Sequence, residues 1–205
     1  MVSLDQLQSR LSDLSIGVHA LTRPEESPAS RLVKLDPNTV LNLRNGRHDV
    51  IILLGSLASG PVMLSPQSYI GLDGKGKLRA GPWGAVLFHM VSPIVPGGPK
   101  SIIKAENLSW FDGLQSGVRR CNFRTQDYSV ALVDFTSGTR IRPHRHDRGE
   151  EIYLLAGELA GAPKRLKPGD WLRLNPSIVH APHSETSTRF LVITGHLKPD
   201  GVQTA

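Results

Sequence analysis

Leu4, Leu7, Leu11 and Leu14 recur at helical spacing behind Ser3, a residue suited to an N-cap, and predict one short amphipathic helix at the N-terminus. No comparable helical period follows it. The remaining chain alternates short apolar stretches with turn residues, among them Asp49 to Leu54, Ala85 to Val91, Tyr128 to Phe135, Glu151 to Leu155 and Phe190 to Thr194. Many short strands between Gly- and Pro-rich turns predict a sandwich or barrel. Pro24 and Ser27-Pro28 read as a linker between the helix and this β region.

The strand pattern repeats. Displacing the chain on itself by 102 residues lays Val50 to Leu72 over Ile152 to Leu174 without a gap, and eight of the 23 positions are identical. Chance would supply about one or two. Leu53/Leu155, Gly55/Gly157, Pro61/Pro163 and Leu72/Leu174 are among the identities, and Phe88/Phe190 extends the same offset. Two similar β domains then account for the length of 205 residues, and Gly 20 plus Pro 15 supply their turns.

Composition narrows the chemistry. With Cys121 as the sole cysteine, no intramolecular disulfide framework or Cys-rich zinc finger can form, so a metal must be held by histidine and carboxylate. The apolar run Val50 to Leu54 is far shorter than the roughly 20 residues that span a bilayer, and the N-terminus shows no secretory signal. A soluble cytoplasmic protein is expected. The net charge of +6 is dispersed over small clusters, Lys75/Lys77/Arg79, Arg119/Arg120 and Lys164/Arg165/Lys167, a pattern of solvated loops that argues against nucleic acid as the partner.

Four of the eight histidines fall between positions 144 and 183. On a strand, His144 and His146 face the same way and can bring two imidazoles to one point. Asp147-Arg148-Gly149 can then turn the chain so that Glu150 returns on the next strand, and Asn175-Pro176-Ser177 ends a further strand just before His180. Three imidazoles and one carboxylate form a borderline N/O set for Fe(II), Zn(II), Mn(II), Ni(II) or Cu(II). An ion preferring six ligands keeps positions open for water, dioxygen or substrate. Arg140 and Arg142 share strand parity with the two histidines, which would turn Arg142 inward as an anchor for a carboxylate or enolate oxygen. His183 is a candidate for proton transfer beside the site. Glu151 points away from Glu150 and is expected to pair with a surface arginine.

The spacing of Gly138, His144, His146, Glu150 and Gly157 resembles the first motif of the cupins: Gly, five residues, His-x-His, three or four residues, Glu, six residues, Gly. In the second cupin motif Gly169 and His180 stand in place, whereas Asn175 replaces the usual Pro, Ser177 the Gly and Ser184 the Asn. The runs around His144 and His180 look most like the ChrR-type branch, which includes the zinc-binding cupin of anti-sigma factors and small dioxygenases cleaving diketones or related carbonyl compounds. The resemblance implies an all-β fold of two tandem jelly-roll barrels with a short N-terminal helix. Its parts are a helix and linker over 1–34, a degenerate barrel over 35–105 and a metal-binding barrel over 106–205.

The 102-residue offset puts Asn42, Arg44, His48 and Leu78 at the positions of His144, His146, Glu150 and His180. One divalent metal per chain is therefore expected, with Fe(II) or Zn(II) favoured and Mn(II) or Ni(II) admissible. The N-terminal barrel is left for packing, homodimerisation or another ligand. The resemblance supports a metal-dependent oxygenase acting on a small carbonyl compound, and it also allows a sensing cupin or a metal-stabilised binding module. No cysteine occurs in the first 35 residues, so the zinc domain of an anti-sigma factor is not expected.

Overall fold

Alternation of apolar and polar positions builds two antiparallel sheets, one in each of two compact units. The computed structural model describes residues 3–93 and 100–198. The parts of the expected barrels at 94–99 and 199–205 lie outside the described residues. One unit comprises Asp13–Leu108, and the other joins Met1–Ser12 to Ser109–Ala205.

Helix α1 (Asp5–Ser12) lies within the predicted leucine pattern and buries Leu7 and Leu11. The Asp5 N–H donates to Ser3 Oγ at 3.2 Å, the N-cap contact that the sequence suggested. Arg10, in the last turn, pairs with Asp170 at 2.8 Å, so the helix belongs to the unit that carries the histidine motif.

The Asp13–Leu108 unit contains β1 (Gly17–Ala20), β2 (Ala29–Leu35), β3 (Val40–Leu43), β4 (Arg47–Ser59), β5 (Val62–Leu64), β6 (Tyr69–Asp73), β7 (Gly76–Ser92) and β8 (Ser101–Ile103). Their main path is β1-β2-β7-β4-β6-β8, with β3 on β7 and β5 on β4. Residues 1–34 are thus not a helix and linker. Pro24 and Ser27-Pro28 lie in the connection between β1 and β2, which pair antiparallel from Gly17↔Lys34 to Ala20↔Arg31. Turn residues close hairpins as readily as they form linkers, and here they close one.

The other unit contains β9 (Phe111–Asp112), β10 (Val118–Arg124), β11 (Ser129–Phe135), β12 (Glu150–Ala156), β13 (Trp171–Leu174) and β14 (Thr188–Thr194), in the order β13-β12-β14-β11-β10-β9. Its central path β13-β12-β14-β11 reproduces β6-β4-β7-β2 of the first unit. The agreement reaches single residues. His48 faces Leu72 as Glu150 faces Leu174, and the β4/β7 register slips between Ile52 and Leu54 where β12/β14 slips between Leu154 and Ala156. Gln67 N–H donates to the Ile52 carbonyl at 2.7 Å, and Gly169 N–H to the Leu154 carbonyl at 2.8 Å.

Gly55 and Gly157 show why one repeated position cannot vary. Both have positive φ, 74° and 77°. A Cβ on Gly157 would stand 2.5 Å from the Ser187 carbonyl oxygen and 2.8 Å from Thr188 Cα, and one on Gly55 would strike the Gly84 carbonyl. Each barrel interior is apolar: Val50, Ile52 and Leu87 in the first, Ile152, Leu154 and Phe190 in the second. No helix among the described residues is long and apolar enough to cross a membrane.

Candidate metal centre

Strand β12 is buried throughout, and Glu150 begins it with the same parity as the core residues Ile152 and Leu154. Its carboxylate therefore enters the barrel. Just before the strand, the N–H of His144 donates to the His180 carbonyl at 2.9 Å, and the N–H of His180 donates to the His144 carbonyl at 2.9 Å. This reciprocal pair ties the two motifs together. The Ser177 N–H adds a bond to the His146 carbonyl at 3.1 Å.

The three imidazoles converge. Ring centroids are 5.0 Å apart for His144 and His146, 4.3 Å for His144 and His180, and 5.6 Å for His146 and His180. Their ligating atoms lie within 4.8 Å of one another. Glu150 Oε1 is 3.4 Å from His146 Nε2, and Oε2 is 3.3 Å from His180 Nε2. His146 Nε2, Glu150 Oε2 and both ring nitrogens of His180 are buried without a hydrogen-bond partner. Unpartnered buried acceptors facing one another are costly, and a cation at their centre removes that cost. His144 Nδ1 lies 2.9 Å from the Arg142 carbonyl. A carbonyl can only accept, so Nδ1 carries the proton and Nε2 is left for an ion. The donor set fits a first-row divalent metal.

Burial shapes the electrostatics in the same sense. It raises the Glu150 carboxyl to about 8, against the opposing charge of Arg120. It lowers His180 to about 4, helped by His144 and His146, and lowers His146 with help from His144 and Arg120. His146 and His180 are thereby kept neutral and ready to donate lone pairs.

His144, His146 and Glu150 line one wall of a cavity of about 460 Å³ inside the second barrel. Most of the remaining lining is apolar, including Val133, Phe135, Ile141 and Phe190, and Phe111 and Leu114 border it with exposed side chains. Arg120, on β10, also lines it, so the pair Arg119/Arg120 is not the solvated loop expected from the sequence. Nothing in its local spacing ties it to the histidine motif; only the pairing of β10 with β11 carries it to this wall.

The structure brings together His144, His146, Glu150 and His180, and separates Arg142 and His183 from them. Arg142 is exposed, and it is Ile141 whose side chain lines the cavity. Pro143 interrupts the alternation on which the inward reading of Arg142 depended. Arg140 is exposed as well and pairs with Glu185. His183 is half-buried with Nδ1 3.2 Å from the Ala181 carbonyl, in a separate small depression with Glu158, Arg165 and Glu185. Glu151 is deeply buried rather than paired at the surface, receiving Trp171 Nε1 at 2.8 Å and Arg173 Nη2 at 2.6 Å, with His196 Nε2 at 2.9 Å.

Two departures from the second motif are accommodated locally. Ser177 takes the left-handed conformation, φ 66°, in place of the usual Gly. Ser184 Oγ donates to the Thr186 carbonyl at 2.8 Å and accepts from its N–H at 3.2 Å, closing a turn with a side chain shorter than Asn.

In the first barrel the corresponding positions are occupied differently. Asn42 and Arg44 are exposed and Leu78 is core. His48 is buried, its Nε2 2.9 Å from the Arg44 carbonyl and its Nδ1 3.0 Å from His89 Nε2, while Arg31 Nε donates to His89 Nδ1 at 3.3 Å. A hydrogen-bonded chain of side chains stands where the second barrel gathers its ligands. Among the described residues, His144, His146 and His180 are the group of three able to hold an ion.

Residues 99–198 match the family model of the ChrR cupin-like domain. No curated protein matches the chain in sequence. Among solved structures, a putative dioxygenase from Nostoc punctiforme is similar with a TM-score of 0.67 at 16% identity, over 92% of this chain and 76% of that one. Quercetin 2,3-dioxygenase from Acinetobacter baumannii gives 0.61 at 12% identity, over 89% and 83%. A deletion mutant of oxalate decarboxylase from Bacillus subtilis gives 0.65 at 13%, over 90% and 75%. At these identities the likeness is one of fold.

Proposed function

Because the chain belongs to the cupin superfamily, with a ChrR cupin-like domain over 99–198, we propose that its second barrel is a mononuclear metal site of dioxygenase type acting on a small carbonyl compound. The observation that carries this reading is the convergence of three imidazoles, with Glu150 beside them, at the edge of a largely apolar cavity that His144, His146 and Glu150 line. Two of the similar structures are described as dioxygenases, which supports the same choice.

A divalent ion held by His144, His146, His180 and Glu150 would supply Lewis-acid stabilisation of an enolate oxygen and, as Fe(II), a place for dioxygen. The chain contributes the rest. The Arg142 carbonyl fixes the ring of His144, and the reciprocal bonds between the His144 and His180 backbones hold the two motifs in register. Val133, Phe135 and Phe190 exclude water around the reacting groups and favour a substrate with an apolar body.

The test is anaerobic loading with Fe(II), followed by oxygen uptake on a panel of β-diketones and related carbonyl compounds. Uptake by the wild type that falls to background in His144→Ala is expected. A protein that holds metal but consumes no oxygen with any member of the panel is a binding module, and the oxygenase reading is then lost.

A further inference from the structure

Arg120 is the cationic side chain of the cavity wall, and its guanidinium is held from one side only. Nε donates to Asn122 Oδ1 at 2.6 Å and Nη2 to Ser129 Oγ at 2.5 Å. Among the described residues Nη1 has no hydrogen-bond partner and no carboxylate forms an ion pair with Arg120. Two polar neighbours thus fix the plane of the group while one edge stays free. A guanidinium with a fixed plane and a free edge suits an oxyanion.

Charge makes the same demand. The carboxylates lining the cavity are Glu150, beside the histidines, and Asp112 in the exposed β9 segment. With a divalent ion on the histidines, Glu150 cancels one of its two charges, and Arg120 adds a further positive charge to a largely apolar enclosure. Uncompensated positive charge in such a cavity favours an anionic occupant. The surrounding Val118, Val133, Phe135 and Val192 can receive only an apolar remainder.

We propose that Arg120 is the anion-recognition residue of the second barrel, and that the ligand is a small organic anion whose charged oxygen meets Arg120 while its apolar body fills the cavity. The inference rests on the metal-site reading and narrows its substrate class from carbonyl compounds in general to anionic ones. Arg120 takes the place in the site that the sequence pattern assigned to Arg142.

Phenylglyoxylate and its neutral analogue phenylglyoxylamide are suitable probes, since both carry a ketone beside a second oxygen and an apolar ring. Calorimetric titration of zinc-loaded protein, where no turnover occurs, is expected to show the acid binding more tightly than the amide. Arg120→Gln should lose about tenfold or more in affinity for the acid and little for the amide, and Arg120→Lys should recover part of that loss. Bound zinc and the melting curve are read on the same samples. Acid binding by zinc-holding Arg120→Gln, or by Arg120→Met where Arg120→Gln does not fold, within twofold of the wild type overturns the inference, as does absence of acid binding by the wild type. If the wild type holds no zinc, the metal reading fails by itself. The acid and amide are then compared on metal-free protein, where Arg120 dependence upholds the anion site and its absence overturns it.

Discussion

Gly157 ends the first motif in a conformation and a space that both exclude a side chain. Gly157→Ala forces positive φ on a residue with a Cβ and drives that Cβ into Ser187 and Thr188, at a cost of about 1–3 kcal/mol. Chemical denaturation should show the loss as a lower midpoint, and an unchanged midpoint would contradict the steric account. The same scale shows what was legible in the sequence. His144, His146, Glu150 and His180 were found because each lies at a fixed spacing from a turn. Arg142 was assigned inward by strand parity, which fails at Pro143, where the segment is not a regular strand. Arg120 stands in the sequence only as part of a small basic cluster, because its nearness to Glu150 arises through strand pairing and not through spacing along the chain.

Elements follow their apolar pattern more closely than single polar residues do. The five stretches expected as strands fall on β4, β7, β11, β12 and β14, since alternation against a core is a strong constraint on register. The β1–β2 hairpin was hidden because Pro24 and Ser27-Pro28 mark a turn without saying what the flanking chain pairs with. Facing elements also decide what fills a barrel. Arg31 on β2, His89 on β7 and His48 on β4 form one chain of hydrogen bonds, and burial, then Arg31 and His48, push the His89 pKa well below its usual 6.5. His89 is thus neutral in the folded state and titrates near 6.5 when unfolded. Its contribution to stability is complete above that value and is lost as pH falls below it, by up to about 1.4 kcal/mol per pH unit. Melting temperatures between pH 7.5 and 5.5 should fall more steeply for the wild type than for His89→Gln, and equal slopes would show that His89 is not responsible.

Across the whole molecule, duplication is visible in strand order, register, bulges and the paired glycines, while the chemistry of the two copies has separated. Elemental analysis of protein loaded with excess metal and then desalted should find one equivalent per chain, falling to near zero in the double variant His144→Ala, His146→Ala. Two equivalents would mean that the first barrel binds metal in spite of its exposed Asn42 and Arg44 and buried Leu78. The offset in the sequence announced this asymmetry, but it could not show what replaces the ion, because Arg31, His48 and His89 meet only when three strands are assembled. Their mutual hydrogen bonds satisfy the buried imidazoles of the first barrel without an ion. Removal of metal is therefore expected to loosen the second barrel's site while the hydrogen-bonded chain of the first stays satisfied.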